Sequence, residues 1–276
     1  LREGKGTSRA VKKVAVIPTL LTLANGVCGF SALVWASKID FSESTEFYFA
    51  LSGWLIIAAM ICDALDGFVA RLSRTASKFG GELDSLCDAI SFGAAPAFLL
   101  LKVGPGKQPQ PFLHQLLVGV ATLYLVCVLL RLARFNVQNT TDPAGHKRFR
   151  GLPSPAAAGC IASLAILRGG LEKFGFDVVL ARTMIEFGAT VGAVCIALLM
   201  VSRVSFPHLT HRLLRGRRHF THLLQVILAC FVIVLSREIS LVVLFWGYAL
   251  FFPCRYALVR SLREEPRPGL DEIIRH

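Results

Sequence analysis

Charge is scarce in this chain. Only 17% of its 276 residues are Asp, Glu, Lys or Arg, and 18 acids stand against 30 bases. With 54% hydrophobic residues and a mean hydropathy of +0.59, too little polar surface exists to coat a soluble domain of this length. Cysteine motifs are missing as well. Eight cysteines stand at 28, 62, 87, 127, 160, 195, 230 and 254, one per apolar stretch, with no C-x-x-C and no His partner at metal spacing. That argues against a zinc module or a disulfide framework and leaves them as small apolar fillers. No internal repeat and no matching pair of broken helices is present, which argues against solenoids and inverted-repeat transporters. The net charge of +12 comes without a recognised module or aromatics interleaved in a basic surface, so no nucleic-acid partner is expected. A cleavable leader is also disfavoured. Arg9, Lys12 and Lys13 precede an apolar run from Ile17 that is too long and lacks a small-residue cleavage site. The first residue is Leu1 rather than Met, so the natural chain is expected to begin earlier.

What is present is hydrocarbon-spanning sequence. Apolar stretches lie at Ile17–Ala36, Phe47–Ala70, Leu86–Val103, Pro111–Leu132, Pro153–Leu167, Leu180–Ser202, Phe220–Leu235 and Ile239–Val259, each read as a transmembrane helix. The expectation is an all-α, polytopic membrane helix bundle of about eight spans. One embedded domain covers 1–262, followed by a charged tail, 263–276, broken by Pro266 and Pro268. Eight spans put both termini on one side, and 23 of the 30 Lys and Arg fall on that side. By the positive-inside rule that side is the cytoplasm, and the same charge attracts anionic lipid headgroups of the bilayer. The basic loops Phe135–Leu152 and Arg203–His219 are the places for headgroup contacts.

Against this background, four carboxylates concentrate where lipid should exclude them. Asp63, Asp66, Gly67, Ala70, Arg71, Gly80, Asp84 and Asp88 form the pattern D-x2-D-G-x2-A-R-x8-G-x3-D-x3-D. At the bilayer centre each acid costs on the order of 2.5 to 3.5 kcal/mol. Asp63, Asp66, Gly67 and Ala70 share one helix face at i, i+3, i+4 and i+7, while Asp84 and Asp88 are i and i+4 on the next helix. A turn through Leu72–Gly81, with Arg74, Lys78 and the pair Gly80–Gly81, lets the two acidic faces meet near the surface.

Clustered carboxylates repel unless cations compensate them. All-oxygen ligation suits Mg²⁺, Mn²⁺ or Ca²⁺ rather than zinc. Four Asp suffice to bridge two ions at the roughly 3.5 to 4 Å separation of two-metal phosphoryl chemistry. Arg71 supplies a fork for phosphate oxygens, and Gly67 and Gly80 clear room for backbone or a flat base. The plainer alternative is that these Asp cap helices and pair with Arg71, Arg74 and Lys78. An ion pathway through a transporter is a second alternative.

On these residues the chain resembles the CDP-alcohol phosphatidyltransferase family, whose signature Asp63–Asp88 matches at every position. The resemblance implies a six-helix catalytic core, two divalent cations, Mg²⁺ or Mn²⁺, and transfer of a phosphatidyl-type group from a CDP-linked donor to an alcohol. By position, Asp63, Asp66 and Asp84 would hold the first metal, and Asp63, Asp84 and Asp88 the second. Asp66, Gly67, Ala70, Arg71, Gly80 and Asp84 would shape the CDP site, and Asp88 would be the general base. A homodimer in a prokaryotic cytoplasmic membrane, with the site facing the cytoplasm, is also implied.

The acceptor rests on other segments. Arg131-Leu-Ala-Arg134-Phe-Asn136, Gly151-Leu-Pro-Ser154-Pro155-Ala-Ala-Ala-Gly159, Leu199-Met-Val-Ser202-Arg203 and the opening Pro18–Gly29 resemble the serine-using branch. Thr19 departs from the Asn expected after Pro18. The implied substrates are CDP-diacylglycerol and L-serine, with inositol phosphate, glycerol phosphate or choline as alternative acceptors. On physical grounds Arg131, Arg134 and Asn136 end the fourth helix, where a guanidinium can grip a carboxylate or a lipid phosphate, or simply anchor the helix. Pro153 and Pro155 begin a helix whose alanines allow close packing, and Ser154 can touch substrate or cap that helix.

Overall fold

The computed structural model describes residues 5–40, 45–73, 78–105, 111–141, 151–171, 178–202 and 237–264, and every regular element among them is helical. In chain order these are α1 (Lys5–Ser37), a 3-10 turn (Lys38–Asp40), α2 (Thr45–Ser73), α3 (Lys78–Asp88), a π-helical stretch (Ala89–Ala94), α4 (Ala95–Val103), α5 (Pro111–Thr141), α6 (Ser154–Gly170), α7 (Val178–Val201) and α8 (Arg237–Glu264). Six spans among the described residues are long and apolar enough to cross a membrane, one of them running unbroken from α3 through the π stretch to the end of α4. The protein is a polytopic helical membrane protein.

Two of the eight expected stretches are not among these six spans. The stretch Pro153–Leu167 becomes α6, only 17 residues long, or about 26 Å at 1.5 Å per residue. The stretch Phe220–Leu235, the loop Arg203–His219, Cys230 and the tail from 265 lie outside the described residues.

α6 is the hub. Ser154, Ala157 through Ile166, Arg168 and Gly170 are all buried, because a helix apolar on every side has no face to offer water. Its neighbours come close through small residues. A Cβ on Gly53 of α2 would lie 2.6 Å from Ile166 Cγ1 and 2.7 Å from the Ala162 carbonyl oxygen, and one on Gly159 would strike the Phe245 ring of α8. Trp246 of α8 donates from Nε1 to the Cys160 carbonyl at 3.1 Å. Such close approach is the means by which helices associate where lipid is as apolar as leucine.

Three boundaries differ from the sequence expectation. The third span starts at Phe79 rather than Leu86, so Gly80 and Gly81 sit in the first turn of α3 instead of in the connection. α5 runs to Thr141, past the expected stop at Leu132, because no Gly or Pro interrupts it before Pro143; Phe135 and Asn136 are therefore helical. α8 continues through Arg263 and Glu264, across the expected start of the tail. Of the seven described cysteines, all free, Cys195 and Cys254 face outward rather than filling the core.

At the other end of α6, Arg168 pairs with Glu186 of α7 at 2.7 Å, stacks 4.6 Å from the Phe49 ring centre and reaches the Val103 carbonyl at 3.4 Å. A second pair joins Arg182 of α7 to Glu46 of α2. These contacts fasten α2, α4, α6 and α7 to one another.

Candidate active site

α2 turns a core stripe into an acid stripe. Phe49, Ser52, Gly53, Ile56 and Ala59 are buried at helical spacing, and continuing the same face for one and two more turns brings Asp63 and Asp66 inward. Asp66 is 5% exposed, less than many apolar residues of this protein. Asp84 of α3 meets them. One oxygen from each of Asp63, Asp66 and Asp84 lies within 4.8 Å of the other two, close enough for a single cation to bind all three.

Asp88 stands outside that triad and is tied to α1. Asn25, fully buried, donates from Nδ2 to Asp88 Oδ1 at 3.0 Å. One turn earlier on α1, the Thr22 hydroxyl donates to Asp66 Oδ2 at 2.8 Å. α1 can come this near because of two glycines. A Cβ on Gly26 would stand 2.9 Å from Cys87 Sγ, and one on Gly29 would collide with Ser91, whose own hydroxyl donates to the Asn25 carbonyl at 2.9 Å.

The π stretch begins immediately after Asp88. Ala95 N–H bonds to the Ile90 carbonyl, an i to i+5 step. Pro96 has no N–H to give the Phe92 carbonyl four residues back. Tyr124 of α5, completely buried, supplies the missing donor, its hydroxyl to Phe92 oxygen at 2.9 Å. Such π-helical insertions are frequent at functional sites, and here the insertion sets the end of the helix that carries Asp84 and Asp88.

Gly67 and Ala70 continue the same face of α2. The space over Gly67 is taken by Arg71, whose Nη1 would lie 3.4 Å from a Cβ placed there, so the guanidinium folds back one turn toward the acids. No ion pair within 4.0 Å joins the four aspartates to Arg71 among the described residues; the side chains of Arg74 and Lys78 lie outside them. Among the described residues, pairing with Arg71 therefore does not account for the cluster.

The residues expected to contact the acceptor divide. Arg131 is within electrostatic reach of Asp63 and Asp88, and also of Tyr124 and Tyr248. It donates from Nη1 to the Ser154 hydroxyl. Ser154 is the first residue of α6, and the cap position before it, Pro153, makes no side-chain cap bond; the capping role foreseen for Ser154 is replaced by holding Arg131. Asn136 bonds to Ser85 of α3, Nδ2 to Oγ at 2.9 Å, which ties α5 to the acid-bearing helix. Arg134 is half-buried on the same helix. Thr22, Asn25, Ser85 and Tyr248 had no role assigned from sequence. Thr19, Thr22 and Asn25 recur every third residue within an apolar run, and that was the available signal for the first two.

The donor set fits a hard divalent cation. It is all oxygen, and Asp84 Oδ1 is buried with no hydrogen-bond partner, a costly state that a bound cation relieves.

The comparisons agree with this chemistry. The family model described as CDP-alcohol phosphatidyltransferase matches residues 15–201. A protein of Helicobacter pylori (strain J99) named "CDP-diacylglycerol--serine O-phosphatidyltransferase" is 34% identical over 187 residues, covering 64% of this chain and 72% of the relative. Proteins of the same printed name from Methanocaldococcus jannaschii, 33% identical over 198 residues with 72% and 77% covered, and from Saccharomyces cerevisiae, 33% identical over 175 residues with 60% of each covered, are similar too. With the family match spanning all four aspartates and the helices that hold them, the chain belongs to the CDP-alcohol phosphatidyltransferase family.

Proposed function

We propose that this enzyme transfers the phosphatidyl group of CDP-diacylglycerol to the hydroxyl of L-serine, giving phosphatidylserine and CMP. The observation that carries the reading is the triad of Asp63, Asp66 and Asp84, with oxygens within 4.8 Å of one another, beside the folded-back guanidinium of Arg71. The serine acceptor draws its support from the names of relatives in a bacterium, an archaeon and yeast.

Asp63, Asp66 and Asp84 would hold a first Mg²⁺ or Mn²⁺, and Asp63, Asp84 and Asp88 would hold a second. Cations held by these carboxylates would supply positive charge to the pyrophosphate and to the departing CMP. Gly67 leaves room for the Arg71 guanidinium, which forks a phosphate oxygen pair, while Ala70 and Gly80 leave room for the cytidine. The serine hydroxyl attacks the lipid-side phosphorus in line, a new P–O bond forms, and the P–O bond to the CMP phosphate breaks. Asp88 takes the hydroxyl proton. With Oδ1 held by Asn25, its other oxygen, Oδ2, is the acceptor of that proton. Arg131, with Arg134 near it, receives the serine carboxylate. The acyl chains stay in the bilayer and the headgroup enters from its edge. The site and both termini face the cytoplasm, and the working form is a homodimer.

Purified protein incubated with CDP-diacylglycerol and labelled L-serine tests this reading. It expects metal-dependent release of CMP with label in phosphatidylserine. CMP release only with inositol phosphate, glycerol phosphate or choline would overturn the serine acceptor, and ion flux without CMP release would overturn the enzyme.

A further inference from the structure

α8 lies beyond residues 15–201, the segment that the family model covers, yet it is built into the catalytic bundle. Phe245, Tyr248, Ala249 and Phe252 share one face and pack on the core, whereas Val243, Leu244, Leu250 and Phe251 are exposed. The docking is specific. Phe245 fills the notch at Gly159 of α6, Trp246 the notch at Gly192 of α7, and Trp246 Nε1 bonds the Cys160 carbonyl at 3.1 Å.

The two helices run antiparallel. Near the start of α8, the Glu238 side chain lies against Gly170 at the end of α6; farther along, Phe245 lies against Gly159. One more turn of α8 brings Tyr248 level with the first turn of α6. There Ser154 accepts the hydrogen bond of Arg131, and Tyr248 is within electrostatic reach of that guanidinium. Arg131 is thus approached by Ser154 from α6 and by Tyr248 from α8, with Asp63 and Asp88 on the reacting side.

A guanidinium has five donors in a fixed fork. To present one edge to an acceptor's carboxylate, the others need partners that keep the fork from turning toward Asp63 and Asp88. Ser154 takes one. We propose that Tyr248 is a positioning residue for the acceptor: its hydroxyl holds the Arg131 fork in the orientation that receives the carboxylate of the incoming amino alcohol. This rests on the reading of Arg131 as the carboxylate contact, and it extends the site to a helix outside the family-matched segment.

The test is steady-state kinetics of the full-length protein, with Tyr248→Phe removing only the hydroxyl. The expected result is a rise in KM for L-serine of about tenfold, the size of one hydrogen bond to a charged group. The kcat and the KM for CDP-diacylglycerol stay within about twofold. Tyr248→Leu, lacking the ring as well, should show the same serine defect with a lowered unfolding temperature, which separates hydroxyl from packing. An unchanged serine KM in Tyr248→Phe overturns the inference, as does a parallel fall of all parameters with thermal stability. Arg131→Lys is the control for the underlying reading. If it raises the serine KM and Tyr248→Phe does not, only the role of Tyr248 fails; if neither does, the Arg131 contact fails with it. A wild-type protein without serine transfer overturns both along with the proposed acceptor.

Discussion

Asn25 and Asp88, 63 positions apart in the chain, are joined by a 3.0 Å hydrogen bond from Nδ2 to Oδ1. Asn25 is completely enclosed, and its own Oδ1 has no partner. A buried amide with one half unsatisfied is expensive. Its position is maintained because α1 is pressed onto α3 at Gly26 and onto the π stretch at Gly29, and the bond leaves Oδ2 as the Asp88 oxygen that Asn25 does not hold.

Asn25→Ala should lower transfer by roughly 10- to 100-fold, the usual effect of removing a group that orients a metal-site carboxylate. CDP-diacylglycerol should still bind. Turnover and metal titration read the two effects separately, and wild-type rates in the variant would show that Asp88 needs no such support.

Asp84→Asn removes the negative charge and one of the two oxygens of a carboxylate whose Oδ1 is buried without a partner. Loss of metal binding, read by calorimetric titration of Mn²⁺ into the purified protein, should accompany loss of activity. Asp88→Asn is expected to behave differently, abolishing transfer while CDP-diacylglycerol still binds. Normal turnover in that variant removes Asp88 from the base role.

Gly151 has a φ of 88°, and a Cβ there would collide with the Met200 carbonyl. The residue after it, Leu152, donates its N–H to the Leu199 carbonyl at 3.2 Å, which seats the start of α6 and with it Ser154. Gly151→Ala should therefore destabilise by about 1 to 3 kcal/mol and raise the serine KM as Ser154 shifts. Thermal unfolding in detergent and serine kinetics, measured together, check both halves.

Glu186→Gln should destabilise without touching the chemistry. Arg168 is 5% exposed and its partner Glu186 23%. Removing one member of a buried pair leaves an uncompensated charge and costs about 3 to 5 kcal/mol, whereas replacing both with apolar residues costs far less. Thermal unfolding of the single and the Arg168→Met/Glu186→Leu double variant should show this order, with kcat near wild type in whatever fraction remains folded. A double variant no more stable than the single one would count against it.

The acid motif was legible in the sequence because helical periodicity is a local property: Asp63, Asp66, Gly67 and Ala70 share a face whatever the rest of the chain does. Six of the expected spans were legible for the same reason, since a run of apolar residues long enough for the bilayer reports itself. The third span was placed seven residues short at its start, because Gly80, Gly81, Glu82 and Asp84 are polar or helix-weakening and hide the start of the helix. The role of Ser154 was left open for a comparable reason. Whether a serine at a helix start caps its own backbone or receives a guanidinium from another helix depends on where that other helix stands.

By itself the sequence determined the helical class, the membrane as solvent, the four carboxylates and the family to which they belong. These follow from composition and from spacing within single elements. The tertiary structure decided which groups meet in and around the acid cluster: Thr22 on Asp66, Asn25 on Asp88, Ser85 with Asn136 and Ser154 with Arg131. Each of these contacts crosses between helices. Those of Thr22 and Asn25 depend on Gly26 and Gly29, which let α1 approach in one register, and that register is a property of the packed bundle.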